Sequence, residues 1–224
     1  MIRVFAGYDA RLPAGFHAFC QSLIATSSQP VSVTPLSVSM LGGLLTRPWD
    51  SKQTTPFAYS RFLVPHLCDY QGWALFVDGS DMLMNDDIAE LWALRDAHYA
   101  VQVVKHPEGI HSGTKRKFFD QTQEDYPRKN WSSVMLFNCE RCVDLSAADA
   151  NIMNGAYLHR FEWLKDELIG ELPARWNHLV GVNKPRFEAG LIHYTLGVPA
   201  FSEQRDCEWA DLWYSYAGMA GPEG

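Results

Sequence analysis

Apolar residues fall in short runs separated by polar stretches that carry glycine and proline. Ile2, Val4, Phe5 and Ala6 predict a buried strand over 2–6, and Gly7-Tyr8-Asp9 the turn that leaves it. Over 14–25, Phe16, Phe19, Cys20 and Leu23 recur at helical spacing and build one apolar face. Residues 31–36 alternate as a strand does, and the continuous apolar run Trp73-Ala74-Leu75-Phe76-Val77 predicts a strand in the middle of a sheet. Further strands are predicted at 99–104, 134–137 and 191–194, the last near the end of the sheet, with helices at 88–94, 147–154 and 161–169. A helix from about Phe57 is expected to run until Pro65 disturbs it. The Gly-, Thr-, Ser- and Pro-rich stretch 40–56 reads as a long loop that could lie over a site. Strand, helix, strand is the start of a parallel sheet, so the fold class is α/β, with a mostly parallel central sheet flanked by helices. No linker or shift in composition divides 1–224, which reads as a single domain whose small, Gly-rich tail, 217–224, is loosely held.

Composition narrows the function. With 224 residues, 47% apolar and 20% charged, the chain can bury one sizeable core. A net charge of −7 argues against a long nucleic-acid footprint and is compatible with a divalent cation. The dense basic stretch Lys115-Arg116-Lys117 is short and reads as a solvated face. The chain opens directly on a strand, without the pattern of a signal peptide, and no apolar stretch approaches the roughly 20 residues that span a bilayer, so a cytoplasmic protein is expected. Five cysteines, an odd number, suit a reducing compartment. Cys139-Glu140-Arg141-Cys142 lacks a second pair or a nearby histidine, and reads as two reduced thiols rather than a zinc site.

The chemistry concentrates after the central strand, in Asp78-Gly79-Ser80-Asp81-Met82-Leu83-Met84-Asn85-Asp86-Asp87-Ile88. Ligands of open α/β sheets bind at the carboxyl ends of the strands, where Asp78 emerges. Gly79 and Ser80 allow a tight turn that could bring Asp81 back toward Asp78. Two converging carboxylates repel each other unless a cation sits between them, and oxygen ligands suit Mg²⁺ or Mn²⁺. The alternative is that both aspartates merely cap turns. Asp87, directly before the periodic Ile88-Ala89-Glu90-Leu91-Trp92, fits a helix N-cap.

This segment resembles the family 8 glycosyltransferases, whose apolar strand ends in a D-x-D metal motif; here the two carboxylates stand one residue further apart. The resemblance runs along most of the chain. Thr55-Pro56-Phe57-Ala58-Tyr59-Ser60-Arg61-Phe62-Leu63-Val64-Pro65 is similar to a helix whose arginine, here Arg61, approaches donor sugar and phosphates. Asn130-Trp131-Ser132-Ser133-Val134-Met135-Leu136-Phe137-Asn138 is similar to a segment of small and amide residues on the donor sugar, which implies contacts from Ser132 and Ser133. Trp131 could stack on a sugar or fill the core. Leu172-Pro173-Ala174-Arg175-Trp176-Asn177 matches a further stretch, and Asp166-Glu167 lies near the place of the family's Asp-Gln pair. Leu191-Ile192-His193-Tyr194-Thr195-Leu196-Gly197-Val198-Pro199-Ala200-Phe201 resembles the late H-x-x-G-x-x-K-P-W motif, which makes His193 the third metal ligand and lets Gly197 approach phosphate. The motif's lysine is missing, so Arg61, Lys105 or Lys184 would have to meet the phosphate. Val4-Phe5-Ala6-Gly7-Tyr8-Asp9 resembles the loop that cradles uracil, with Tyr8 stacking on the base and Asp9 accepting from its ring N–H.

The resemblance thus implies a single-domain GT-A fold and retaining transfer of a sugar from a UDP-sugar to an acceptor that the sequence does not identify. Asp78, Asp81 and His193 would hold the Mn²⁺ or Mg²⁺, with Asp78, Asp81 and Arg61 at the reacting end. Two other classes stay open: a nucleotide-sugar-binding module without turnover, and a metal-dependent phosphate-ester hydrolase.

Overall fold

The computed structural model describes residues 1–49, 53, 55–110, 116–117, 121–122, 126–185 and 188–221. Its elements in chain order are β1 (Ile2–Gly7), α1 (Pro13–Thr26), β2 (Val31–Leu36), α2 (Val64–Leu67), β3 (Trp73–Val77), β4 (Met82–Met84), α3 (Ile88–Ala93), β5 (Val101–Val103), β6 (Arg116–Lys117), β7 (Gln121–Thr122), β8 (Val134–Asn138), α4 (Ala147–Ile152), α5 (Gly155–His159), β9 (Ile169–Glu171), β10 (His178–Leu179), β11 (Leu191–His193) and α6 (Ala210–Ala217).

A six-stranded sheet runs in the order β2-β1-β3-β8-β5-β9, in which β8 alone is reversed. This is an α/β domain with a mostly parallel central sheet and flanking helices. Its central strands β3 and β8 are buried on both faces, which is why they read as continuous apolar runs. Along β3, Leu75 and Val77 pack with Val4, Phe19 and Leu23 on the α1 side, while Ala74 and Phe76 pack with Phe5, Phe62 and Phe137 on the other. A second sheet, β10-β11-β4, stands at the carboxyl edge of the first and brings His193 into register with Met82.

Three expectations need correction. Residues 57–65 are not one helix: a turn leads into a 3₁₀ segment, Ser60–Leu63, and then the single turn α2. Pro65 lies in the first turn of α2, where its missing N–H costs nothing, so it starts that helix instead of disturbing one. No helix spans 161–169: Phe161 has φ +59°, which ends the helical path after α5, and Ile169 begins β9, paired with Val101. The apolar residues there pack from turns and a 3₁₀ segment, with Phe161 buried and Trp163, Leu164 and Leu168 partly buried against the same core, a pattern that periodicity does not distinguish from a helix face. Finally, the strand expected at 191–194 forms as β11 but belongs to the second sheet.

Asp87 caps α3, its Oδ1 accepting from Ala89 N at 2.9 Å and Ser28 N at 3.1 Å. All five cysteines are free thiols, with Cys68, Cys139 and Cys142 buried. No helix among the described residues is long and apolar enough to cross a membrane. The side chains of the basic stretch 115–117, parts of the loop 40–56 and the last three residues of the tail lie outside the described residues.

Candidate functional site

At the carboxyl end of β3 the chain makes a turn that depends on glycine. Gly79 has φ +64°, and a Cβ there would lie 2.6 Å from the carbonyl oxygen of Gly7. Ser80 then faces β1: its backbone N donates to Gly7 O at 3.2 Å, and its Oγ donates to the same oxygen at 3.2 Å and accepts from Asp9 N at 2.9 Å. With Ser80 turned to β1, Asp81 turns toward Asp78. Its carbonyl accepts from Tyr194 N at 2.8 Å, which ties the turn to the end of β11.

Asp78, Asp81 and His193 each bring one ligand atom within 4.8 Å of the others. His193 Nε2 lies 3.4 Å from Asp81 Oδ2 and 3.8 Å from Asp78 Oδ2. All three side chains are buried. Burial pushes the Asp78 carboxyl up and Asp81 adds to this, while Arg61 and His193 oppose it. Asp81 Oδ1 is buried without a hydrogen-bond partner among the described residues. A buried carboxylate oxygen left unsatisfied beside a second carboxylate is costly, and a divalent cation removes both penalties. Two carboxylates and an imidazole also form a donor set suited to Mn²⁺ or Mg²⁺, so the residues present fit the ion. It is the only such group among the described residues.

One loop braces two of the three, Asp78 and His193. Arg61 is buried, its Nη2 2.7 Å from Asp78 Oδ1, its Nη1 donating to Ser132 O at 2.6 Å and its Nε to Ala58 O at 2.8 Å. Ser133 O accepts from Asp78 N at 3.1 Å. Asn130 O accepts from Ser133 N at 3.2 Å and from Asn177 Nδ2 at 3.1 Å, and Asn177 Oδ1 stands 2.9 Å from His193 Nδ1. The carbonyls of Asn130, Ser132 and Ser133 thus face Asn177, Arg61 and Asp78 in turn.

The other expected residues are placed unevenly. The Ser133 side chain helps to lower the Asp78 carboxyl against the effect of burial, whereas Ser132 Oγ is 2.9 Å from His159 Nδ1. Burial is the main cause that drives the His159 imidazole down to about 3, with Arg61 and Arg47 contributing. Tyr8 packs edge-on against Phe16, with centroids 5.1 Å apart. Asp9 is buried and held by Arg11, whose Nη2 lies 2.5 Å from Oδ2 and whose Nε donates to Oδ1 at 2.9 Å. Gly197 closes the turn after β11, its N donating to Tyr194 O at 2.8 Å. Lys105 Nζ lies 5.7 Å from the centre of the Trp131 ring, and Lys184 is exposed. Asp166 is not gathered into the group: it is exposed and paired with Arg128 at 2.7 Å. Trp131 is half-buried, and its Nε1 donates to His106 O at 2.9 Å.

Sequence reasoning assigned no role to Asn177, Asn130 or His106. His106 is buried just beyond β5, its Nε2 without a partner among the described residues, and burial together with His193 and His178 lowers its imidazole to about 4. Asn177 stood within the quoted Leu-Pro-Ala-Arg-Trp-Asn stretch, but nothing in the spacing linked it to His193.

These features define a protein of the GT-A fold with a buried Asp-Asp-His group where β3 ends. Over 99% of the chain the structure matches bifunctional glycosyltransferase WbbM, at TM-score 0.63 and 15% identity, spanning half of that longer chain. It matches galactosyltransferase LgtC, solved with donor and acceptor sugar analogues, over 99% of this chain and 98% of that one, at TM-score 0.59 and 13% identity. By sequence, the chain is 44% identical over 220 residues to Protein CDI of Arabidopsis thaliana, covering 94% of this chain and 84% of the relative. It belongs to the same family as Protein CDI. No protein-family model matches the sequence.

Proposed function

We propose that the chain transfers a sugar from a UDP-sugar to an acceptor, with a divalent cation required and the anomeric configuration retained. The observation that carries this is the buried convergence of Asp78, Asp81 and His193 at the carboxyl edge of a GT-A sheet, with Asp81 Oδ1 unsatisfied. Likeness to LgtC, a galactosyltransferase, supports the reaction class. UDP and retention rest on the family 8 resemblance of the sequence.

Asp78, Asp81 and His193 would hold Mn²⁺ or Mg²⁺. The bound ion supplies positive charge against which a leaving diphosphate is stabilised. Arg61 opposes the rise that burial imposes on the Asp78 carboxyl and holds the Ser132 carbonyl, and its guanidinium adds permanent positive charge beside the site. Ser132 and Ser133 would flank the donor sugar, and Gly197 would let backbone approach the diphosphate. Tyr8 would stack on the base; because Arg11 already binds Asp9, that carboxylate would accept the ring N–H through its remaining lone pairs. Lys105 is the candidate second cation, and Asp166 would need a change of partner to reach the donor.

The test is incubation with a panel of UDP-sugars in Mn²⁺ or chelator, reading UDP release and the configuration of the product. Release of UDP that requires Mn²⁺ supports the proposal. UDP binding without release from any donor reduces the chain to a binding module, and release of inorganic phosphate from a phosphate ester makes it a hydrolase.

A further inference from the structure

His193 can hold a cation through Nε2 only if its proton sits on Nδ1, and free imidazole favours the other tautomer. The surroundings of Asn177 decide between the two. Asn177 is fully buried. The carbonyl oxygen of Asn130 can only accept, so the Asn177 atom 3.1 Å from it must be the amide nitrogen. The amide oxygen therefore faces His193 Nδ1 at 2.9 Å, and an oxygen without a proton requires an N–H opposite it. That makes Nε2 the ring nitrogen that faces Asp81 and Asp78, 3.4 and 3.8 Å away, and the one available to a cation between them. Asn130 in turn cannot shift freely. Its φ is +63°, and its carbonyl also accepts from Ser133 N, at the start of the strand that braces Asp78.

We propose that Asn177 is a positioning residue that locks His193 in the Nδ1–H tautomer before any ion arrives, so that the third ligand is preorganised. The proposal rests on the reading of Asp78, Asp81 and His193 as a metal group, but not on the identity of the donor or on turnover. Outer partners of this kind are worth about 10–100-fold in metal affinity.

The experiment has two readouts, neither of them activity. Nitrogen-15 NMR of the metal-free protein, with His193 assigned by loss of its signals in His193→Gln, reports which ring nitrogen carries the proton. Titration with Mn²⁺, followed by electron paramagnetic resonance, gives the affinity. The wild type should show the Nδ1–H form. Asn177→Leu, of similar volume, should shift His193 to the Nε2–H form and weaken Mn²⁺ binding by about 10–100-fold. Asn177→Asp keeps the acceptor opposite Nδ1 and should keep the tautomer, at a cost in stability because it sets an oxygen against the Asn130 carbonyl. An Nε2–H tautomer in the wild type overturns the proposal, even if Asn177→Leu fails to fold. Wild-type Mn²⁺ affinity in a folded Asn177→Leu overturns it as well. If instead the wild type shows the Nδ1–H form and binds no Mn²⁺ at all, the metal reading falls, and the ligand role assigned to Asn177 falls with it.

Discussion

Asp81→Asn separates a metal site from a cluster of acids that happens to be buried, because it should move stability in opposite directions with and without the cation. Asp81 is 6% exposed, and its only ion-pair neighbour among the described residues is His193. Its carboxylate faces that of Asp78, with ligand atoms no more than 4.8 Å apart. At an effective dielectric constant of about 20, two charges at that distance repel by at least roughly 3.5 kcal/mol. Arg61 on Asp78 cancels part of this, leaving about 1–2 kcal/mol gained when Asp81 loses its charge. For a chain of this size that raises the metal-free melting temperature by about 2–8 °C. The wild type should recover with ligand: at about 100 times Kd, Mn²⁺ and UDP together add about 2.7 kcal/mol, a gain the mutant loses. The assay is four melts at pH 7.5, wild type and mutant, each in chelator and in Mn²⁺ with UDP. Crossing stabilities are expected. A mutant less stable than wild type in chelator, with its Mn²⁺ increment intact, would refute the reasoning.

Other substitutions probe the frame around the group. A Cβ on Gly15 would lie 2.0 Å from the carbonyl oxygen of Ser80, so Gly15→Ala should push α1 off the turn and lower stability by about 1–3 kcal/mol, read as a lower melting temperature. Arg61→Met removes the cation beside Asp78 together with bonds to Ala58 and Ser132; the metal-free protein should lose about 3–5 kcal/mol in denaturant unfolding, part of it restored by Mn²⁺. Ser80→Ala leaves the buried N–H of Asp9 without its acceptor and should cost about 1–3 kcal/mol, with Mn²⁺ affinity affected less than UDP affinity.

How far the sequence spoke for the fold follows from where the forces are local. The strands β1, β3 and β8 are legible because each buries a run of apolar side chains, β2 because its residues alternate, and α1 and α3 because helical spacing or a cap marks them. β9 was not legible, since three residues at a sheet edge carry too little pattern and derive their order from pairing with β5. The same holds for the assignment of β11 to a second sheet, which depends on β4 and β10. In the candidate site, Asp78, Asp81 and His193 were nameable as residue types in a known order. Their braces were not, because Asn177 reaches His193 and Arg61 reaches Ser132 through tertiary contacts that leave no periodicity in the chain.

The widened spacing of the two carboxylates looks at first like damage to a metal motif. Its geometry argues otherwise. An extra residue in an extended chain reverses the direction of the next side chain, which would have carried Asp81 away from Asp78. Gly79, at φ +64°, instead folds the backbone against Gly7, a conformation that a side chain would prevent. The residue then left over is Ser80, and its hydroxyl serves two backbone groups of β1 and its turn. The insertion is therefore absorbed by contacts to β1, and Asp81 arrives where a residue one position earlier would otherwise stand. A serine that satisfies Gly7 and Asp9 while two carboxylates stay buried side by side, only Asp78 of them paired with an arginine, reflects a turn built to hold those carboxylates in place. The altered spacing accordingly gives no support to a module that has lost its ion; such a view would have to rest on the missing late lysine alone.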